Sequence, residues 1–359
     1  MTRRIGICRA LDGFRFLDKW QSFLTDLGFE VVVSRVTDRQ TIEAGARIAP
    51  AELCLPAKVY LGHALSLRCQ VDALFVPRLV CRKLDHDLYF GCPKAMALPD
   101  MVRALIPELP QVEFVLDERT GSEEESYQRL ARRLKTGWTA SKLRKAASPD
   151  RGWHPQIAGT GLTLRSKLQQ RYENTENTEP TPNSRLSMGG TKGLCQPCIG
   201  VVGHDYLVDD KVLSLNLVEK LKDLGLRPVR KTDFEPKPRQ SNKNYPILQP
   251  AFMPNWMFER ELIRAALDMA AERTVMGLVL ATSFACGTSA VTNELIHRAV
   301  ARARSDLPVL TVIFDEHTAE AGLQTRLESF AELLQMRQNA TLQASRHERL
   351  WDSLTRQRQ

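Results

Sequence analysis

Three of the eight cysteines have neighbours that favour a metal cluster over a packed core. Cys54 precedes Leu-Pro, Cys92 stands between Gly and Pro, and Cys286 precedes Gly-Thr. The Gly and Pro residues are expected to keep each thiol off a regular helix face. Since the cysteines lie far apart in sequence, only a fold that joins distant segments brings them together. This spacing is typical of a cluster held between domains, not of a compact zinc knuckle.

An iron–sulfur cluster is the chemistry that such thiols would serve. Clusters take thiolates from irregular backbone, because the N–H groups of turns hydrogen-bond to the sulfides and tune the reduction potential. Pro93 removes a competing donor and is expected to stop a helix, while Gly91 and Gly287 permit close backbone approach. Three thiolates leave one iron open to water or substrate. On residue pattern alone, three buried thiols are the alternative.

Two further cysteines form the pair Cys195-Gln-Pro-Cys198, where a polar segment meets a strand. This spacing allows four interpretations: a redox dithiol, half of a zinc site completed by Cys54 or Cys92, additional cluster ligation, or a silent pair. The other cysteines are expected to be core or incidental, because free cysteine is among the most buried residue types. They are Cys8, Cys69 and Cys81.

Ionisable side chains are concentrated in Asp315-Glu-His-Thr318, directly after a predicted buried strand. Cys286 also follows such a strand, and in open α/β sheets ligands bind beyond the carboxyl ends of the strands. We therefore expect both segments at one edge of a sheet. Two interpretations stay open: helix capping with Thr318 as the N-cap residue, or an acid–base role of Glu316 and His317 near a cluster.

Strands alternate with helices along most of the chain, which predicts parallel sheets built from strand–helix–strand units. Residues 1–147 are predicted to form an α/β lobe ending in a basic helix, and residues 148–197 a polar linker, partly disordered. Residues 198–338 are predicted to form a second α/β lobe, followed by a polar, basic tail over 339–359. The predicted fold is α/β, with two Rossmann-like or flavodoxin-like lobes and a cluster site in the cleft between them.

Composition excludes several classes of function. The net charge of +8 is densest at residues 129–145, where leucines recur at helical spacing. A solvated helix face is therefore favoured over a nucleic-acid surface or a docking face for an acidic partner. No apolar segment of membrane-spanning length and no export signal are found, so we expect a cytoplasmic protein. Without a Walker A or G-x-G-x-x-G motif, ATP would have to be bound by another subunit.

Five segments of the two predicted lobes carry motifs that together resemble a known family. They are Ile5-Gly-Ile-Cys-Arg-Ala-Leu11, Glu52-Leu-Cys-Leu-Pro-Ala-Lys-Val-Tyr-Leu-Gly-His63, Ile199-Gly-Val-Val-Gly-His-Asp-Tyr206, Ser283-Phe-Ala-Cys-Gly-Thr-Ser289 and Phe314-Asp-Glu-His-Thr-Ala-Glu-Ala-Gly-Leu-Gln-Thr-Arg326. The family is the uncharacterised domain associated with CoA-enzyme activases, related to the iron–sulfur components of 2-hydroxyacyl-CoA dehydratases and to double-cubane cluster proteins. The resemblance covers roughly residues 3–117 and 198–335. The chain departs from the family's usual residues at Cys8, Leu55, Ala57 and Asp205.

The resemblance implies a cofactor, partners and a set of site residues. The cofactor is a 4Fe–4S or larger iron–sulfur cluster with Cys54, Cys92 and Cys286 as ligands, and Cys195 and Cys198 are candidates for further ligation. The electron donor is an ATP-hydrolysing activator protein, and a second copy or a paired related subunit is a further partner. Other positions in the family's recurrent motifs are Lys58, His63, His204, Glu316 and His317, of which Lys58, Glu316 and His317 are the catalytic candidates.

Three functions compete at this point. The leading hypothesis is an iron–sulfur redox protein of the dehydratase/activase type in anaerobic metabolism, which accepts low-potential electrons from the activator. Whether it acts as a reductase or as a dehydratase-related component is open. The second hypothesis is a non-catalytic assembly or interaction subunit, with or without structural zinc. The third is an acyl-CoA-binding enzyme without a cluster.

Overall fold

Two α/β lobes make up the described part of the chain. The computed structural model describes residues 3–84, 87–134, 196–234 and 254–356. Residues up to 134 form the first lobe, and those from 196 onward form the second. The predicted α/β class is therefore confirmed. The predicted linker 148–197 lies almost entirely outside the described residues.

The first lobe is built on a five-stranded sheet. Its strands are β1 (Arg4–Ile7), β2 (Glu30–Val33), β3 (Ala73–Leu84), β4 (Asp87–Phe90) and β5 (Gln111–Asp117). β1 pairs in parallel with β2 and β3, and β5 pairs in parallel with β3. The parallel pairing is as predicted; in addition, β4 folds back antiparallel onto the end of β3. β3 is long because β5 and β4 supply hydrogen-bond partners along its second half.

Helices cover both faces of this sheet. They are α1 (Asp12–Asp26), α2 (Arg39–Ile48), α3 (Leu55–Leu67), α4 (Pro93–Met96), α5 (Leu98–Leu105) and α6 (Glu123–Arg133). On one face, α1 and α6 bury an aromatic core in which Trp20 contacts Phe75, and Phe114 stacks on Phe75 and Tyr127. On the other face, α3 and α5 pack with Leu74 and Val76. Alternate residues of β3 thus face opposite layers, as the pleat of a strand requires.

The second lobe is built on a parallel sheet of four strands. They are β6 (Cys198–Gly203), β7 (Arg227–Arg230), β8 (Val275–Ser283) and β9 (Val309–Phe314). Their order in the sheet is β7-β6-β8-β9. Its helices are α7 (Asp205–Val208), α8 (Leu217–Asp223), α9 (Met257–Ala271), α10 (Gly287–Ala303) and α11 (Glu320–Arg356). α9 and α10 cover one face of the sheet, and α8 and α11 cover the other.

Several helix boundaries differ from the sequence prediction for identifiable reasons. Pro93 begins α4 instead of stopping a helix, because the first N–H groups of a helix have no partner within it. α6 begins at Glu123, where Ser122 and Glu125 form a capping box. Its predicted continuation to residue 145 lies outside the described residues. α11 continues through Arg356, so part of the predicted tail is helical.

A compact group of partly buried charges joins the two lobes. Arg15 of α1 donates to both carboxylate oxygens of Glu261 at 3.1 and 2.7 Å and lies 3.0 Å from Asp205. Lys231 lies 2.7 Å from Asp205 and 3.5 Å from Glu261. Two cations thus face two carboxylates, and each charge depends on the others, because a buried charge without a partner is strongly destabilising. Asp205 thus pairs with cations of both lobes.

Helices α2 and α3 touch backbone to backbone. A Cβ atom at Gly45 would lie 1.8 Å from the carbonyl oxygen of Lys58, and one at Gly62 would lie 1.9 Å from that of Thr41. Neither position therefore accepts a larger residue without separation of the helices. The contact fixes α3, which begins directly after Cys54 and carries Lys58 and His63.

We expect Gly62→Ala to lower the free energy of unfolding by about 2 kcal/mol or more, since its methyl group would push α2 away from α3. Urea denaturation measures the change. The matched control is Gly322→Ala in the first turn of α11, where an added Cβ meets no atom within 4 Å. Equal effects of the two substitutions would contradict the close-contact explanation.

Candidate functional site

The three cysteines singled out by sequence each occupy the N-cap of a helix. Cys54 precedes α3, Cys92 precedes α4 and Cys286 precedes α10, all with extended backbone. Each cysteine therefore lies outside the regular helix, as expected, but directly at a helix start, with Pro56, Pro93 and Gly287 in the first turns. At a helix N-terminus, free N–H groups and the helix dipole favour negative charge, and a nearby thiol is more readily ionised.

The three N-caps meet where the lobes join. Burial raises the pKa of Cys54 to about 11, and the charges of Cys286 and Cys92 act in the same direction. Burial also raises the pKa of Cys92, with a contribution from Cys286. Tyr206 of α7 has a pKa raised by burial and by the charges of all three thiols. Each thiol is therefore an electrostatic neighbour of the other two, although they come from two lobes.

A lysine that sequence reasoning missed connects the cysteine segments. Lys94, two residues after Cys92, donates from Nζ to the carbonyl oxygens of Glu52 and Ala285, both at 2.8 Å. Glu52 lies two residues before Cys54, and Ala285 directly precedes Cys286. The charge of Lys94 opposes the rise in the pKa of Cys54. The only sequence signal for Lys94 was its place directly after the Cys92-Pro pair.

Hydroxyl groups and a buried carboxylate surround Cys286. Its Sγ lies 3.1 Å from Ser289 Oγ and 3.4 Å from Thr288 Oγ1, and both hydroxyls donate to Oε1 of Glu259. His204 Nε2 lies 3.0 Å from the same oxygen. Burial would raise the pKa of Glu259, but the charge of His204 and these hydrogen bonds lower it to about 2. No motif in the sequence marks Glu259, because it lies inside the amphipathic helix α9.

The described residues contain no group of three His, Cys, Asp or Glu side chains arranged around a single metal ion. A cluster requires a wider spacing of its ligands. Each cysteine binds a different iron, so the sulfurs lie further apart than they do around a single metal ion. The three thiols lie at neighbouring helix starts, and their residue type is the one that binds such a cluster; Lys94 adds a positive charge beside Cys54, and Glu259 a negative charge near Cys92.

The remaining cysteines lie elsewhere. Cys198 begins β6 opposite Val275, the first residue of β8, whereas Cys286 follows the end of β8, roughly 27 Å away along the strand. Cys195 lies outside the described residues. Cys8 and Cys81 are buried, as expected of core residues, and Cys69 is exposed.

The predicted Asp315–Thr318 segment reaches the same sheet edge as Cys286, as expected for neighbouring parallel strands. The N–H of Phe284 donates to the carbonyl oxygen of Phe314 at 2.7 Å. Thr318 is not the N-cap of α11, which begins at Glu320; its hydroxyl instead bonds to Asp315 and closes a turn. The side chain of His317 is exposed.

Lys58 and Glu316 form an ion pair across the lobes. The buried Lys58 donates from Nζ to Oε1 of Glu316 at 2.5 Å and to the carbonyl oxygen of Ala51 at 3.1 Å. Burial would raise the pKa of Glu316, but the hydrogen bond and charge of Lys58 bring it below its usual value. Lys58 lies one helical turn after Cys54, so this pair borders the cysteine site.

His63 takes part in a further polar link between the lobes, which runs through Thr37 to Asp210. Thr37 donates its hydroxyl proton to Asp210, so its oxygen can only accept from His63 Nε2, 3.2 Å away. His63 is therefore the neutral tautomer with the proton on Nε2. Burial lowers the pKa of His63 to about 4, despite the nearby charge of Asp210.

The fold and the site define a two-lobed α/β protein in which cysteines at the N-cap positions of helices from both lobes lie near one another at the junction. The chain belongs to the CoA enzyme activase uncharacterised domain family, whose family model matches residues 4–232. That range includes Cys54 and Cys92 and ends before Cys286. No curated protein matches the chain. Among the described helices, none has the length and apolar character that a membrane crossing requires.

We expect the free energy of unfolding to fall by roughly 3 kcal/mol between pH 7 and pH 4 through His63 alone, at about 1.4 kcal/mol per pKa unit. The folded pKa of about 4 lies below the ordinary 6.5, so over this interval the unfolded chain binds a proton that the folded chain does not. Urea denaturation at several pH values measures this loss. His63→Gln keeps an N–H donor but cannot titrate, so it should lose this part of the pH dependence. Identical pH profiles for both proteins would contradict the assignment.

Proposed function

We propose that the chain holds a 4Fe–4S-type cluster on Cys54, Cys92 and Cys286 and transfers single low-potential electrons in a system of the 2-hydroxyacyl-CoA dehydratase/activase type. One observation carries the proposal: three cysteines from two lobes occupy three helix N-termini that meet at one junction. Cysteines that only fill a core are not expected to share the N-cap position at one junction.

The surroundings of the thiols support a cluster rather than a disulfide or an isolated reactive thiol. Free N–H groups at helix N-termini hydrogen-bond to sulfur and stabilise the negative charge of a cluster. Lys94 adds a positive charge beside Cys54. When bound, the cluster would supply one-electron chemistry, and three protein ligands would leave one iron open.

The protein's own polar groups would orient the site. Glu259 and His204 hold the two hydroxyls that contact Cys286, so that this sulfur keeps one orientation. The Lys58–Glu316 pair closes the other side, one turn after Cys54, and joins the lobes around the cysteines. Such partners around ligands are needed for affinity as well as for tuning.

The proposed electron donor is a separate ATP-dependent activator protein. The family is named for its association with CoA enzyme activases. The sequence has no Walker A motif with which to bind ATP itself. A second copy of the chain or a related subunit would complete the assembly.

We expect the anaerobically reconstituted protein to hold iron and acid-labile sulfide in near-equal amounts and to be brown. Cys54→Ser and Cys286→Ser should each lose most of the iron, because each removes a ligand from a different lobe. Iron and sulfide assays with electron paramagnetic resonance of the reduced protein measure this.

The matched control is Cys69→Ser, which removes an exposed thiol and should leave the iron content unchanged. Wild-type protein that stays colourless, or that holds only zinc, would support an assembly subunit instead. Binding of a CoA ester that survives loss of the cysteines would support the cluster-free enzyme.

A further inference from the structure

We propose that Lys94 is the positioning residue that holds the three cysteine segments in register across the lobes; this inference rests on the proposed function. The argument starts from its two hydrogen bonds. A single ammonium group binds the carbonyl oxygen of Glu52 in the first lobe and that of Ala285 in the second, both at 2.8 Å. The first carbonyl lies two residues before Cys54, and the second directly precedes Cys286.

The third segment is tied to Lys94 through the chain itself. Only Pro93 separates Lys94 from Cys92, and the proline ring fixes one backbone torsion between them. α4 is a single short turn, so Cys92 and Lys94 move as a unit. A displacement of any one cysteine segment therefore has to break a hydrogen bond to Lys94 or distort this turn.

The loop before Cys286 needs such a restraint. Ala285 has a φ of 59°, in the left-handed region that residues with a Cβ atom rarely adopt. A strained residue persists where its surroundings hold it on several sides. Here the N–H of Phe284 bonds to Phe314, the N–H of Cys286 bonds to Ser283, and Lys94 holds the Ala285 carbonyl.

The charge of Lys94 gives the residue a second effect that packing alone would not produce. Its ammonium group is close enough to Cys54 to lower the pKa of that thiol. A positive charge beside a cluster stabilises the reduced state, which carries one more negative charge. Loss of this charge therefore moves the reduction potential to more negative values.

The test compares wild-type protein with Lys94→Met, Lys94→Arg and Lys222→Met after anaerobic loading with limiting ferrous iron and sulfide. Lys94→Met should bind iron about tenfold more weakly, which is the effect expected when a group that orients metal ligands is removed. The cluster that remains should have a more negative reduction potential. Lys94→Arg keeps the charge and should restore the potential. Lys222→Met removes an exposed charge on α8 and should behave as wild type.

Unchanged iron affinity and potential in Lys94→Met, with a loaded wild type, would overturn the role of Lys94 and leave the proposed function standing. Wild-type protein that takes up no iron would instead overturn the proposed function. The unfolding midpoint of the metal-free variants shows whether the fold is intact. If Lys94→Met does not fold, Lys94→Gln replaces it, because glutamine keeps an N–H donor without the charge. Lys94→Gln should fold and show the more negative reduction potential. A wild-type potential in Lys94→Gln would overturn the inference.

Discussion

The partly buried charges at the lobe junction fix the orientation of one lobe on the other, and the rest of the structure depends on that orientation. Arg15 and Lys231 face Asp205 and Glu261, and the guanidinium group binds both oxygens of one carboxylate. Because a bidentate pair tolerates little rotation, the first lobe has one favoured orientation on the second. Two of the site cysteines belong to the first lobe and one to the second. The three cysteines thus lie at one junction because of the ion pairs as much as because of the sheets.

Around this junction, helix N-termini give the site its electrostatic character. Burial alone makes ionisation of Cys54 and Cys92 harder, as their raised pKa values show. Helix dipoles and the ammonium group of Lys94 act in the opposite direction. Burial prevails, so the Cys54 and Cys92 thiols keep raised pKa values, whereas the helix N-termini and Lys94 would favour their thiolates once a metal or cluster is bound. Such an arrangement suits a site for a cofactor better than a site for a permanently reactive cysteine.

The alternation of strands and helices predicted the α/β class, and Gly or Pro residues near Cys54, Cys92 and Cys286 singled these cysteines out, because both are local signals. It also placed the Asp315 segment at the edge of the sheet with Cys286, since parallel order follows from topology. What it missed depends on contacts between distant segments. The long β3 strand needs β4 and β5 as partners, and Lys94 and Glu259 acquire their roles only when the lobes meet. Pro93 was misjudged because the same residue can end one helix or begin another.

The division of the cysteines between lobes also sets an order of events during biosynthesis. When the first lobe has emerged from the ribosome, Cys54 and Cys92 are present, but Cys286 and the two carboxylates that pair with Arg15 have not been made. The first lobe alone thus has an unpaired cation and an incomplete set of thiols. The three cysteine segments can therefore come together only after Cys286, and with it most of the chain, has been synthesised.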